Sequence, residues 1–111
     1  MHGEQGTPRV LLIEHNPWIR ADLVSQLAHA GYSVRTASNG FSGLRLAHGV
    51  VPGVVVLGTA LPDVPAYEVR EQLGSDCGTR AVPLIPLTLK AGNVSRLVAT
   101  KMRRALDAGF A

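Results

Sequence analysis

Two short, uninterrupted apolar runs constrain the fold of this chain more than any other feature. Residues 10–13 read Val-Leu-Leu-Ile, and residues 54–57 read Val-Val-Val-Leu. A strand with one face in water alternates apolar and polar residues, whereas an unbroken apolar run indicates a strand buried on both faces. Strands buried in this way are typical of parallel sheets with helices on both sides. The two runs therefore predict an α/β domain built around a parallel sheet.

The segments between and after these runs carry helix and strand signals. Asn16 followed by Pro17 predicts a helix start, because asparagine caps the free N–H groups and proline lacks one that would need a partner. Gly31 predicts the end of that helix. The other predicted elements are, in chain order, an edge strand at 32–37, a helix opened by Ser38-Asn39-Gly40, a short helix from about 65 to 73, a strand at 82–87 and a last helix capped by Asn93.

Apolar residues at helical spacing predict which side chains of the second and third helices enter the core. They are Phe41, Leu44 and Ala47 in the second helix, and Tyr67, Val69 and Leu73 in the third. The order β-α-β-α-β-α-β-α, with short connections, predicts right-handed crossovers and helices on both faces of the sheet. A length of 111 residues indicates one domain over residues 1–111, of which residues 1–8 are expected to be disordered.

Composition excludes several classes of protein. Hydrophobic residues make up 46% of the chain and charged residues 17%, which fits a compact globule and excludes a disordered tail. No apolar run approaches the roughly 20 residues that a membrane-spanning helix needs. The polar first residues carry no secretion signal. Cys77 is the only cysteine, so no internal disulfide can form, and a cytoplasmic location is expected.

The net charge of +3 is concentrated near the carboxyl end of the chain. There, Asp107 is the one acid among six basic residues: Arg80, Lys90, Arg96, Lys101, Arg103 and Arg104. Such a segment can meet nucleic acid, an acidic partner or an anionic surface. These charges are spread around the predicted helix and have no interleaved aromatic residues, which favours a solvated helix face over nucleic-acid binding.

Several segments, in matching order and spacing, resemble the receiver domains of two-component response regulators. Residues 10–17 resemble the first strand and acidic turn of that family, and residues 54–63 its phosphoacceptor strand and Leu-Pro-Asp loop. Residues 30–40 are similar to the run from the second strand into the second helix, and residues 82–88 to the fourth strand. The resemblance implies a flavodoxin-like three-layer fold with strand order 2-1-3-4. The family's fifth strand and fifth helix are expected to be missing or replaced.

The same resemblance implies a degenerate phosphorylation pocket. Glu14 occupies the first of the family's two Mg²⁺-binding acidic positions, and His15 occupies the second, although imidazole is a poor ligand for Mg²⁺. Gly58 stands at the position of the phosphoacceptor aspartate and has no side chain to attack a phosphoryl group. Thr88 matches the family's signalling hydroxyl, and the family's lysine has no counterpart. The resemblance therefore implies a pseudo-receiver that the family's chemistry cannot phosphorylate.

Two interpretations follow from a receiver-like order of strands and helices that lacks most residues of the phosphorylation pocket. The first is a signalling module that binds a protein partner, or a second copy of itself, without phosphate control. The second is a sensor that binds a small ligand in the crevice emptied at Gly58. No enzyme activity, metal or cofactor is expected, because no nucleophile–base pair or metal cluster is visible. Asp63 is interpreted as a capping residue of the third helix and not as a substitute phosphoacceptor.

The absent fifth strand and helix predict how copies of the chain interact. A bare edge on the fourth strand and an uncovered sheet face promote association. A homodimer or a domain swap is therefore expected if 111 residues is the natural length. Two alternatives are that the last helix folds over the gap, or that the chain is a fragment of a longer regulator with this domain at its amino end and an effector region beyond it.

Overall fold

Four parallel strands form a single sheet in the order β2-β1-β3-β4. The computed structural model describes residues 9–87 and Thr100. Its elements are β1 (Arg9–Ile13), α1 (Pro17–His29), β2 (Ser33–Ala37), α2 (Gly40–Gly49), β3 (Val54–Leu57), α3 (Ala66–Ser75) and β4 (Leu84–Pro86). This strand order and the helices on both sides confirm the predicted flavodoxin-like arrangement. No helix among the described residues is long and apolar enough to cross a membrane.

The two apolar runs lie at the centre of the sheet, as predicted. β1 pairs with both β2 and β3, and the register places Ile13 beside Ala37 on one side and beside Leu57 on the other. The carboxyl ends of β1 and β3 therefore lie side by side. The strand order changes direction between β1 and β3, which is where open α/β sheets form their crevice.

Alternate residues of these strands supply two separate cores. On the side of α1 the buried residues are Val10, Leu12, Leu23, Leu27, Val54, Val56, Ile85 and Leu87. On the side of α2 and α3 they are Leu11, Ile13, Ala37, Ala47, Val55, Leu57, Val69 and Leu73. Because both faces are covered at residues 10–13 and 54–57, these positions of the central strands leave no place for a polar residue, which explains the unbroken runs.

The helix signals of the sequence correspond to hydrogen bonds. The side-chain oxygen of Asn16 accepts from the N–H groups of Trp18 (2.9 Å) and Ile19 (3.2 Å) at the start of α1. Gly31, which follows the end of α1, has a φ of 100°, a value that glycine adopts without steric cost. Both predicted ends of α1 are therefore confirmed.

The predicted core faces of α2 and α3 are wrong at their aromatic residues, since Phe41 and Tyr67 are both exposed. α2 packs against the sheet through small residues, and a Cβ atom added to Gly43 would overlap the side chain of Ile13. Phe41 lies two residues before Gly43, about 200° around the helix from it. Tyr67 is displaced in the same way from the buried Val69. The spacing of apolar residues thus gave the wrong position for both rings.

The fourth strand is shorter than predicted, because β4 covers residues 84–86 and not 82–87. Pro83 and Pro86 have no N–H and cannot donate to a neighbouring strand. The Pro83 carbonyl oxygen still accepts from the Val55 N–H (2.9 Å), and the Leu87 N–H donates to Leu57 (2.8 Å). Apart from Thr100, an exposed helical residue, the predicted last helix lies outside the described residues. So do Thr88 and residues 1–8.

Candidate functional site

Glu14 and Gly58 meet at the carboxyl ends of the two central strands. Each follows directly on its strand, and each continues the hydrogen-bond ladder by one residue. The Glu14 N–H donates to the Ala37 carbonyl oxygen (2.9 Å), and the Gly58 N–H donates to that of Ile13 (2.7 Å). Glu14 is one of two buried polar residues in the described part of the chain, with 8% of its surface exposed. Its backbone position is therefore set by the sheet itself.

The carboxylate of Glu14 fills the space that a side chain on residue 58 would need. A Cβ atom built on Gly58 would lie 2.5 Å from Oε1 of Glu14 and 3.2 Å from its Cδ. The other oxygen, Oε2, accepts from the Asn16 N–H (2.8 Å), which holds the carboxylate in this orientation. The Glu14 carboxylate therefore takes up part of the space that the missing aspartate side chain was expected to leave.

Close packing, and not an unusual backbone conformation, explains why residue 58 is glycine. Among the described residues, Gly31 is the only one with a positive φ. Gly58 therefore adopts a backbone conformation that other residues also adopt. A Cβ atom at this position would additionally lie 3.0 Å from the Ile13 carbonyl oxygen. Even with Glu14 displaced, a side chain at residue 58 would be tight against the end of β1.

Arg20 is a site residue that the sequence analysis missed. Its guanidinium Nη1 donates to the carbonyl oxygens of Glu14 (2.9 Å) and His15 (3.2 Å). Both acceptors lie in the loop just before α1. The contact fixes the loop that carries Glu14 and brings a positive charge to the edge of the site. The only sequence signal was an arginine in the first turn of a helix, which is common on exposed helix surfaces.

His15 and Glu14 lie in different environments. His15 is exposed, while the Glu14 carboxylate is turned towards Gly58 and bonded to the backbone. The described residues contain no group of three His, Cys, Asp or Glu that could hold a metal ion. Mg²⁺ requires near-octahedral oxygen coordination, and one engaged carboxylate beside an imidazole does not supply it. Of the four predicted pocket residues, the structure thus brings Glu14 and Gly58 together, leaves His15 at the surface and does not describe Thr88.

Asp63 is a capping residue, but for α2 and not for α3 as predicted. Its carboxylate accepts from the N–H groups of Gly40 (2.8 Å) and Phe41 (2.9 Å), and also of Val64 (3.0 Å). α3 begins after Pro65, which makes no side-chain capping bond. Asp63 therefore ties the loop after β3 to the start of α2. Both of its oxygens are engaged, which argues against a role as a substitute phosphoacceptor.

These contacts change the acidity of Asp63. Desolvation raises the pKa of this carboxyl group, but the hydrogen bonds from the N–H groups of Phe41, Gly40, Asp63 itself and Val64 together outweigh it. The net effect is a pKa below the ordinary value, because the bonds favour the charged form. Asp63 is therefore held as a carboxylate at the positive end of the α2 dipole.

Three exposed aromatic side chains lie around this edge of the sheet. Trp18, Phe41 and Tyr67 are 83%, 59% and 64% exposed, and each is the second residue of its helix. All three helices begin at the carboxyl ends of the strands, so the rings lie on the same edge of the molecule as Glu14 and Gly58. Exposed large aromatic residues are enriched at protein interfaces. We refer to these three residues as the aromatic rim.

Relatives of this chain are found both among curated proteins and among solved structures. The transcriptional regulator RpaA of Synechocystis is 39% identical over 82 residues, which cover 73% of this chain and 34% of RpaA. Protein PilH of Pseudomonas aeruginosa is 32% identical over 82 residues, covering 74% of this chain and 68% of PilH. A signal receiver domain of a histidine kinase from Syntrophus aciditrophicus has a TM-score of 0.82 and 19% identity over 92% of both chains. No protein-family model matches the chain. The chain thus corresponds to about a third of the length of RpaA.

Proposed function

Since the chain belongs to the receiver-domain family of two-component response regulators, we propose that it is a pseudo-receiver that acts by binding a protein partner independently of phosphorylation. A receiver is a signalling domain and not an enzyme, so its output is a contact with another protein. In this proposal the contact does not depend on a phosphoryl group. The single cysteine supports a cytoplasmic location for the module.

The position of the Glu14 carboxylate is the observation that carries this proposal. Transfer of a phosphoryl group to a receiver needs a carboxylate nucleophile at the end of β3 and bound Mg²⁺ to neutralise the transferred oxygens. Residue 58 has no side chain, and the space for one is filled by Oε1 of Glu14. The contacts of Glu14 argue against its taking over the role, since its Oε2 accepts from the Asn16 N–H and its loop is held by Arg20.

The aromatic rim supports a protein partner as the target of the module. Trp18, Phe41 and Tyr67 present large apolar surfaces to solvent. They lie on the same edge of the sheet as Gly58, which has no carboxylate to accept a phosphoryl group. Such rings bury area on binding at a low cost in side-chain entropy, which is why they act as anchors in interfaces. The partner is either a different protein or a second copy of this chain.

Exposure to a small phosphodonor tests the proposal directly. We expect no change of mass when the purified chain is incubated with acetyl phosphate and Mg²⁺ and examined by intact mass spectrometry. A receiver with an aspartate after its third strand, treated in parallel, should gain one phosphoryl group and serve as the positive control. A phosphoryl adduct on this chain that requires Mg²⁺ would overturn the proposal.

A small-ligand sensor that uses the crevice between β1 and β3 is the weaker alternative. The crevice was expected to gain room from the missing aspartate side chain, but Glu14 occupies that room. A ligand would have to displace a carboxylate that is bonded to the backbone. An increase of the melting temperature with a metabolite that becomes larger in the Glu14→Ala variant would favour this alternative, because that variant vacates the crevice.

A further inference from the structure

We propose that the amino-terminal edge of the sheet carries a separate binding site, which takes a small organic anion with a short apolar body. The site lies at the opposite end of the strands from Glu14 and Gly58. It is independent of the proposed pseudo-receiver function, because none of its residues belongs to the phosphorylation pocket or to the aromatic rim.

The site is a cavity of about 400 Å³ between β1, β2 and the last turn of α2. Its lining includes Arg9, Leu11, Ser33, Arg35, Leu46 and Val50. This volume is within the range of about 300–1,000 Å³ that is usual for small-molecule sites. A compact ligand is therefore large enough to fill it.

Strand register places the polar groups of the cavity together. Arg9 pairs with Ser33, and Leu11 pairs with Arg35, in the parallel ladder between β1 and β2. Paired residues of parallel strands project to the same face of a sheet, and Leu11 belongs to the core on the side of α2. Both guanidinium groups and the Ser33 hydroxyl therefore flank an apolar floor.

The charge of the cavity selects an anion. Among the residues that the structure describes, its lining contains two arginines and no acidic residue. Within residues 9–87 the only contact between a basic and an acidic side chain joins His48 and Asp76, so neither arginine is paired with an acid there. The two full charges outweigh the partial negative charge at the end of α2. Guanidinium groups bind carboxylates and phosphates through two parallel N–H···O bonds, and either group would suit this site.

The apolar residues of the cavity define the rest of the ligand. Leu46 and Val50 come from α2 and the residue after it, and Val50 is 43% exposed. An aliphatic chain that covers them would remove apolar surface from water while its charged end reaches Arg9 and Arg35. A purely inorganic anion would leave this surface exposed and would bind more weakly.

A titration with three six-carbon probes tests the site. We expect hexanoate and hexyl phosphate to shift the backbone amide signals of Arg9, Ser33 and Arg35 in ¹H–¹⁵N NMR spectra of the full chain. Hexanol, which has the same apolar body and no charge, should bind more weakly. The stronger of the two anions identifies the head group that the site prefers, and either order supports the proposal.

Arginine variants with a matched control make the test specific. Arg9→Gln and Arg35→Gln should each weaken hexanoate binding by about two- to fivefold, the range for exposed ion pairs. Combined, they should weaken it by about tenfold if they are additive. Arg70→Gln, an exposed arginine on α3 outside the cavity, should leave binding unchanged. Equal effects of all three variants, equal binding of hexanol and hexanoate, or absence of localised shifts would overturn the proposal.

Discussion

Glu14 and Gly58 define each other's environment at the end of the sheet. A methyl group on residue 58 would lie 2.5 Å from Oε1 of Glu14 and 3.0 Å from the Ile13 carbonyl oxygen. We therefore expect Gly58→Ala to destabilise the fold by about 1–3 kcal/mol, the usual cost of overpacking. Urea denaturation measures this loss.

A double variant separates the two contacts at this position. Glu14→Ala removes the nearer contact, the one with Oε1. In the double variant, Gly58→Ala should therefore destabilise less than it does alone, and the remaining loss of stability is due to the Ile13 carbonyl oxygen. The coupling between two touching residues is typically about 0.5–3 kcal/mol. Strictly additive effects of the two substitutions would show that the Glu14 carboxylate does not occupy this space.

Restoring the aspartate alone should not restore phosphorylation. In Gly58→Asp the new carboxylate meets that of Glu14, while His15 still offers an exposed imidazole in place of a second magnesium-binding acid. We expect no phosphoryl adduct on this variant with acetyl phosphate and Mg²⁺ by intact mass spectrometry. Efficient labelling of Gly58→Asp would mean that Glu14 moves aside freely and that His15 is no obstacle to Mg²⁺.

At the scale of the elements, the start of α2 depends on a residue from a distant loop. The first N–H groups of α2 donate hydrogen bonds to the Asp63 carboxylate, and these bonds lower the pKa of Asp63. A carboxyl group with a lowered pKa stabilises the fold above its unfolded pKa of about 4, and this contribution is lost as the pH falls through the folded value. Asp63→Ala should therefore lower the melting temperature at neutral pH, and its difference from wild type should shrink in acid.

A control on α3 distinguishes this capping effect from a general loss of charge. Glu71 is an exposed acid on that helix. The Glu71→Ala variant therefore removes one negative charge without removing the Asp63 cap, and it serves as the charge control in the same thermal melts. If Asp63→Ala behaves in the same way as Glu71→Ala across the pH range, the proposed capping contribution is absent.

Two helical glycines should respond in opposite directions to the same substitution. In α2, a methyl group on Gly43 would overlap the Ile13 side chain, so Gly43→Ala should destabilise by about 1–3 kcal/mol. In α3, a methyl group on Gly74 meets nothing within 4 Å. Gly74→Ala should therefore stabilise by about 0.5–1 kcal/mol, since glycine is a poor helix former. Chemical denaturation of both variants checks how closely α2 approaches β1.

At the scale of the whole molecule, the aromatic rim should be dispensable for folding. Replacing Trp18, Phe41 and Tyr67 with serine removes mostly exposed surface, and exposed substitutions usually change stability by less than about 0.5 kcal/mol each. We expect the triple variant to melt close to the wild type and to lose binding to its partner. A large loss of stability would show that the rings pack against the fold and are not held out for a partner.

The sequence predicts the frame of the molecule better than its site. β1 and β3 are recognisable because they are buried on both faces, and the Asn16 cap is recognisable because it acts on its own helix. The hydrogen bond that the Gly40 N–H donates to Asp63 joins residues 23 positions apart, and it exists only once the fold brings two loops together. The orientation of Glu14 likewise depends on the missing side chain at Gly58, a contact that no local pattern reveals.

The occupied space at Gly58 also bears on how such a domain can change over evolutionary time. A mutation that returned an aspartate to this position would place a second carboxylate against Glu14, where like charges repel. Such a reversion would carry a cost in stability before it brought any benefit, and it would still lack a second magnesium-binding acid at residue 15. In the proposed pseudo-receiver, the way back to a domain that can be phosphorylated therefore requires several substitutions at once.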